Sequence, residues 1–94
     1  MHFIIYCVDK PDHAHVRAAN REAHLAYVGG FKDRLLLAGP TLSEDGGGMT
    51  GSLLILDFPD RAAAEAFAAD DPYNKAGLFE TVEIKPWRKT LPAD

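Results

Sequence analysis

A chain of 94 residues, 47% hydrophobic and 26% charged, has the composition of a folded protein and excludes extended disorder. Its 14 acidic and 10 basic residues give a net charge of −4, so it lacks the positive field that binds nucleic acid backbones. We expect residues 1–94 to form one domain. A core of this size leaves much surface exposed, which favours association with a second copy.

The amino terminus carries a short apolar run, residues 3–8, which ends at the polar stretch from Asp9 to Pro11. The run is too short for a signal peptide or a membrane span. Its aromatic and β-branched residues predict a first strand that is buried on both faces. Cys7, the one cysteine, is predicted to be a small core residue rather than a nucleophile. We therefore expect a cytoplasmic protein without membrane contacts.

From Asp12 the hydrophobic spacing becomes that of an amphipathic helix. The apolar stripe is formed by Val16, Ala19, Ala23 and Tyr27, with Asn20 and His24 on its flank. Arg17, Arg21 and Glu22 are predicted to point elsewhere. Leu25 falls opposite the stripe, so we expect it either to be exposed or to contact a second subunit. His24 is thus expected at the boundary of the core.

The second strand is predicted to start at residues 35–38 and to break at Gly39 and Pro40, since proline cannot donate to a strand ladder. We expect a bend there, at a sheet edge or a pocket. A glycine-rich link, residues 43–51, then leads to a third strand over residues 52–58. The link matches G-x-G-x-x-G, but it joins two strands and begins with acidic residues, whereas a phosphate-binding loop opens a helix. We expect a mobile hairpin and no dinucleotide cofactor.

A second helix is predicted over residues 62–69, with Asp60 as its N-cap. It should stop near Asp70, because Pro72 disfavours helical geometry at the preceding residue. The last strand, residues 80–89, alternates in polarity and should be more exposed than the others. The order β-α-β-β-α-β is the ferredoxin-like plan.

Asp71 lies at the corner that ends the second helix, and two roles are open to it. It can cap a short helical turn over residues 72–76 that ends at Gly77. Alternatively, its carboxylate accepts a hydrogen bond from His24, which fixes the imidazole tautomer and leaves the second ring nitrogen free to move a proton. His24 itself is either a satisfied boundary residue or a group that faces a cleft.

Other chemistry is not supported by the spacing. Asp12, His13 and His15 form the closest cluster of metal-ligating types, but helical positions two residues apart are separated by about 200° and cannot share a metal. We therefore expect no metal site. The sequence spacing also gives no serine or cysteine nucleophile a recognisable partner base.

Several motifs occur in order through nearly the whole chain. They are REAHLAY at residues 21–27, LLAGP at residues 36–40, Gly51, and DDPY at residues 70–73 followed by Gly77 and Leu78. Together they resemble the YCII-related domain family. The resemblance implies an α+β ferredoxin-like fold: a four-stranded antiparallel sheet with two helices on one face, dimerised through the other face as a dimeric α/β barrel. The Gly29–Gly30 pair and the glycine-rich hairpin depart from the family pattern.

The resemblance also implies which residues form the site. His24 and Asp71 are the implied catalytic pair, and the implied substrate-binding lining is Arg21, Gly39, Pro40 and Tyr73. The activity attached to the family is dehydrochlorination of a chlorinated aromatic intermediate. We therefore expect a small-molecule enzyme of lyase or isomerase type that transfers protons without a cofactor. The alternative is a non-catalytic dimer that binds a small molecule or another protein.

Overall fold

The computed structural model describes residues 1–93 and contains the predicted elements in the predicted order, including the short helical turn that Asp71 caps. The elements are β1 (His2–Asp9), α1 (Ala14–Gly29), β2 (Leu35–Leu42), β3 (Met49–Asp57), α2 (Arg61–Asp70), α3 (Pro72–Lys75) and β4 (Phe79–Trp87). The sheet order is β2-β3-β1-β4 and every pairing is antiparallel. This is the ferredoxin-like α+β fold expected from the sequence.

The sheet has one covered face and one open face. Along β1, Phe3, Ile5 and Cys7 are buried in a core that α1 and α2 share. The intervening side chains lie on the other face, where Tyr6 is 41% exposed. The prediction that β1 is buried on both faces is therefore not met within one chain, because both helices pack on the same side.

α1 packs on the sheet with a face that is shifted from the predicted stripe, of which Val16 and Tyr27 still pack against the core. Its buried side chains are Arg17, His24 and Val28. Ala19 and Ala23, which were assigned to the apolar stripe, are exposed. His24 thus lies within the packed face rather than at its edge. Two polar side chains can occupy that face because carboxylates from other elements pair with them.

β2 runs through Gly39 and Pro40 without the predicted break, and Pro40 pairs with Ser52. β2 lies at an edge of the sheet, as predicted, and an edge strand tolerates a proline whose missing N–H is not needed by the ladder. β2 and β4 are both largely exposed, so β4 is not more exposed than every other strand.

The glycine-rich link joins β2 to β3, as expected for a hairpin. The Asp45 carboxylate accepts a hydrogen bond from the backbone N–H of Gly47 at 2.9 Å. Gly51 lies within β3, where a Cβ would collide with the carbonyl oxygen of Cys7 and come within 2.9 Å of the Thr41 hydroxyl. The last glycine of the motif is therefore required by strand packing rather than by a phosphate.

Both predicted caps form. Asp60 accepts from the backbone N–H of Ala63 at 2.9 Å, and Asp71 accepts from that of Tyr73 at 2.9 Å. Gly77 adopts a positive φ of 77°, which ends α3 and turns the chain into β4. No helix among residues 1–93 is long and apolar enough to span a membrane.

Candidate active site

His24 and Asp71 meet in the folded chain although 47 residues separate them. Nδ1 of His24 lies 2.9 Å from Oδ1 of Asp71, and the two residues are 8% and 2% exposed. An ionised carboxylate only accepts hydrogen bonds, so Nδ1 donates. In the neutral imidazole this leaves Nε2 without a proton, which is the form that can act as a base.

The local chain geometry explains why Asp71 reaches this position. Asp71 follows α2, and Pro72 occupies the first position of α3. Oδ1 of Asp71 accepts from the backbone N–H of Tyr73 as well as from His24. The two roles that the sequence left open are therefore filled by the same oxygen atom. The cap fixes the carboxylate, and the carboxylate in turn fixes the imidazole.

Tyr73 links the imidazole to a buried cation. Its ring stacks on His24 with centroids 4.0 Å apart and planes 16° from parallel. The guanidinium carbon of Arg17 lies 4.5 Å from the Tyr73 ring centroid. Burial raises the pKa of Tyr73, while the charges of Arg17 and Arg21 act in the opposite direction without reversing the shift. The phenol therefore keeps its proton at neutral pH and can donate a hydrogen bond.

Arg17 forms a second buried ion pair, which the sequence interpretation missed. Nε and Nη2 of Arg17 donate to the two oxygens of Asp9 at 2.7 and 2.9 Å, and Nη2 also donates to the Ser52 hydroxyl at 3.0 Å. Burial lowers the pKa of Arg17, but the hydrogen bonds and charge of Asp9 outweigh that effect and raise it. Arg17 is thus a permanently charged group fixed in place.

Two spacing signals could have identified this pair. Arg17 precedes His24 by seven residues, which places both on one helix face after two turns. Asp9 continues the alternation of the buried residues Ile5 and Cys7 along β1, so it points to the same side of the sheet.

A cavity of about 300 Å³ opens between α1 and the β2–β3 strands. The predicted site residues that line it are Arg21, His24, Gly39, Pro40 and Tyr73. The additional lining residues are Arg17, Leu25, Val28, Gly29, Leu35, Ala38, Met49, Ser52 and Leu54. Asp71 does not line the cavity, and its carboxylate contacts the Nδ1 side of the His24 ring. One cavity therefore brings together the whole predicted substrate-binding set and His24.

The second ring nitrogen of His24, Nε2, is the group that this site offers to a bound molecule. Among residues 1–93, every buried side-chain nitrogen or oxygen in an unexposed residue has a hydrogen-bond partner. Nε2 of His24 has no hydrogen-bond partner in the part of the chain that the structure describes, so it retains some exposed surface. Because His24 lines the cavity, we expect Nε2 to face the cavity. A molecule bound there would meet an imidazole nitrogen that is oriented through Asp71.

The Cys7 thiol lies in the core near this polar network. Burial raises its pKa from 9.0 to about 12; the negative charges of Asp71 and Asp9 add to the shift and Arg17 opposes it. The folded chain therefore holds the thiol proton to higher pH than the unfolded chain does. The contribution of this thiol to the free energy of unfolding is fully present below pH 9.0 and is lost as the pH rises toward about 12.

We accordingly expect the alkaline loss of stability to be smaller in Cys7→Ala than in the wild type. Urea unfolding followed by circular dichroism across this pH range measures the difference in slope. Because both proteins keep the other titrating groups, a constant offset between the two stability curves would contradict the prediction. A difference that grows with pH would support it.

Comparisons with known proteins match nearly the whole chain. A family model described as the YCII-related domain matches residues 1–88. A protein named YciI from Escherichia coli O6:H1 is 42% identical over 98 residues, which cover 97% of this chain and 100% of that protein. SnoaB, a cofactor-independent oxygenase from Streptomyces nogalater, is 12% identical with a TM-score of 0.57 over 98% of this chain and 96% of that one, and shares the fold.

One solved structure combines likeness in fold with likeness in sequence. It is the 5-chloro-2-hydroxyhydroquinone dehydrochlorinase TftG from Burkholderia phenoliruptrix AC1100, in complex with 2,5-dihydroxybenzoquinone. Its TM-score is 0.90 at 37% identity, and the match covers 100% of both chains. An enzyme that acts on a small molecule therefore shares the full fold and more than a third of the sequence.

Proposed function

The chain belongs to the YCII-related domain family, and from that premise we propose that it is a proton-transfer enzyme of dehydrochlorinase type. His24 acts as the general base or acid, and Asp71 orients it. Arg21, Gly39, Pro40 and Tyr73 form the substrate-binding lining. The substrate is a small chlorinated hydroxyaromatic molecule, as the name of the related dehydrochlorinase indicates.

The observation that carries this proposal is the orientation of the His24 imidazole. Nδ1 is held by a buried carboxylate at 2.9 Å, and Nε2 meets a cavity large enough for a single aromatic ring. General acid–base catalysis needs a positioned group that can take up and return a proton in contact with the substrate. The imidazole of His24 has that arrangement.

Loss of HCl from a chlorinated hydroxyhydroquinone can be balanced with proton transfers alone. His24 removes one hydroxyl proton, and the ring carbon that bears chlorine gains a proton. Chloride then leaves with the bonding electrons as a second hydroxyl proton is released. The product is a hydroxybenzoquinone, and the net change is the loss of one proton and one chloride. The two electrons that convert the hydroquinone to the quinone depart with chloride, so no external oxidant is needed.

The test is chloride release from 5-chloro-2-hydroxyhydroquinone by the purified protein, followed with a chloride electrode and compared with the spontaneous rate. We expect release above that rate, in proportion to protein concentration. Binding of the substrate without faster release would contradict the enzyme proposal and favour the non-catalytic binding module.

We also propose that the chain forms a homodimer through the open face of the sheet. That face carries Ile4, Tyr6, Leu37, Leu53 and Ile55, which pair across β1, β3 and β2. Tyr6 and Leu37 are 41% and 48% exposed. A standard half-interface of roughly 800 Å², half of it apolar, stabilises a subunit by about 10 kcal/mol before the costs of association.

Light scattering at micromolar concentration is expected to give twice the mass of one chain. Tyr6→Lys should shift the protein to monomers, because it places a charge at the centre of the open face, where Tyr6 is already partly exposed. The matched control is Leu91→Lys, which changes an apolar side chain that is 80% exposed in the carboxyl-terminal segment. A wild-type monomer at this concentration would contradict the proposed dimer.

A further inference from the structure

The helical side of the cavity consists of an exposed edge above a buried floor. Arg21, Leu25 and Gly29 follow one another at four-residue spacing and are exposed, and we call them the cavity edge. Arg17 and His24 are buried beneath them on the same helix. A bound molecule would contact the edge on one side and the floor on the other.

The two arginines differ in what neutralises them. Arg17 is held by both oxygens of Asp9. Arg21, by contrast, forms no ion pair within residues 1–93. No Asp or Glu side chain among residues 1–93 lines the cavity. The surface that a ligand meets is therefore positive, although the chain as a whole carries a net charge of −4.

The cavity also changes from polar to apolar along its length. Arg17 and Ser52 meet at one end through a 3.0 Å hydrogen bond. Val28 lies about 16 Å further along α1, by the rise of an α-helix. Leu35 starts β2, five residues from the position that pairs with Ser52. Both Val28 and Leu35 line the apolar end, and His24 lies between the two ends.

From this arrangement we infer that the substrate binds as an anion, with a charged oxygen on Arg21 and its non-polar substituent toward Val28 and Leu35. The inference rests on the proposed function and names the substrate class as an ionised hydroxyquinone or acidic phenol. Arg21 is the residue that selects this charge, because its guanidinium has no protein counter-ion to lose. The orientation places the reacting ring beside Nε2 of His24.

The test compares two quinones that differ in charge. 2,5-Dihydroxybenzoquinone ionises readily because each hydroxyl is a vinylogous acid, whereas its dimethyl ether stays neutral. We expect the wild type to bind the anion more tightly than the ether in calorimetric titrations. Arg21→Met should weaken anion binding by about 10- to 100-fold, as expected for a lost charge-assisted hydrogen bond. Binding of the ether should not change, and Arg21→Lys should retain most of the affinity for the anion.

The matched control is Arg34→Met, which removes an exposed arginine that lies outside this cavity and donates to the Asp57 carbonyl. Its affinity for the anion should equal that of the wild type. The inference is overturned if the wild type binds the ether as well as the anion, if it binds neither, or if Arg21→Met binds the anion like the wild type.

These binding measurements do not depend on turnover, so the two proposals can fail separately. If Arg21→Met keeps full affinity while the wild type still releases chloride, the anion inference is wrong and the proposed function stands. If the wild type binds the anion through Arg21 but releases no chloride, the anion inference stands and the proposed function is wrong.

Discussion

Replacing His24 with alanine is expected to lower kcat for chloride release by about 10²- to 10⁴-fold, the usual contribution of general acid–base catalysis. The substitution removes the imidazole from the cavity lining and leaves the Asp71 carboxylate with the Tyr73 backbone N–H as its remaining donor. KM should change less than kcat, because Arg21 and Tyr73 still line the cavity. Steady-state kinetics with 5-chloro-2-hydroxyhydroquinone measure both constants.

Asp71→Asn tests, in the same assay, whether the Asp71 carboxylate supports catalysis by His24. The asparagine oxygen can still accept from His24 and from the Tyr73 N–H, but the neutral amide no longer stabilises the imidazolium that forms when His24 takes up a proton. We therefore expect kcat to fall with little change in KM. His15→Ala is the matched control, since it removes an exposed histidine from the same helix. A well-folded His24→Ala protein with wild-type chloride release would exclude His24 as the base.

The largest expected effect on stability comes from Asp9→Ala, which should lower the free energy of unfolding by about 3–5 kcal/mol. The Asp9 and Arg17 side chains are only 9% and 7% exposed. Removing the carboxylate therefore leaves a guanidinium buried without its counter-ion, and the remaining contact with Ser52 supplies no negative charge. Urea unfolding at fixed protein concentration measures the loss, since association contributes to the observed stability.

An exposed ion pair provides the comparison for Asp9. On α2, Nε of Arg61 lies 3.1 Å from Oε1 of Glu65, and the two side chains are 55% and 58% exposed. Glu65→Ala should cost no more than about 0.5 kcal/mol, as is usual for such pairs. The double variant Asp9→Leu with Arg17→Met should recover much of the loss, because it leaves no charge unpaired. Equal effects of Asp9→Ala and Glu65→Ala would show that the buried charge is not the cause.

The elements and their order could be predicted because the signals for them are local. Asp60 and Asp71 each precede a helix and accept from a backbone N–H within three residues. Pro72 ends one helix and begins the next, and Gly77 supplies the positive φ that stops α3. None of these contacts requires knowledge of the tertiary structure.

The floor of the cavity could be predicted only in part because its charges are neutralised across the fold. Arg17 was predicted to point away from the core, as an isolated charge would. Its partner Asp9 lies on another element, and the two meet only when α1 packs on the sheet. Residue chemistry left the pairing of His24 with Asp71 as one of two open roles, and the family resemblance implied it, since no local pattern connects residues so far apart along the chain.

The stacking of His24 on Tyr73 also gives this histidine a distinct magnetic environment. The two rings lie nearly parallel, whereas His2 meets Trp87 at 85° and His13 is tilted by 36° from its histidine neighbour. Protons held above the face of an aromatic ring are shielded by its ring current. The His24 imidazole resonances should therefore fall upfield of those of His13 and His15, which have no stacked aromatic partner among residues 1–93. A proton NMR spectrum of unlabelled protein can then follow this single ring as a ligand enters the cavity.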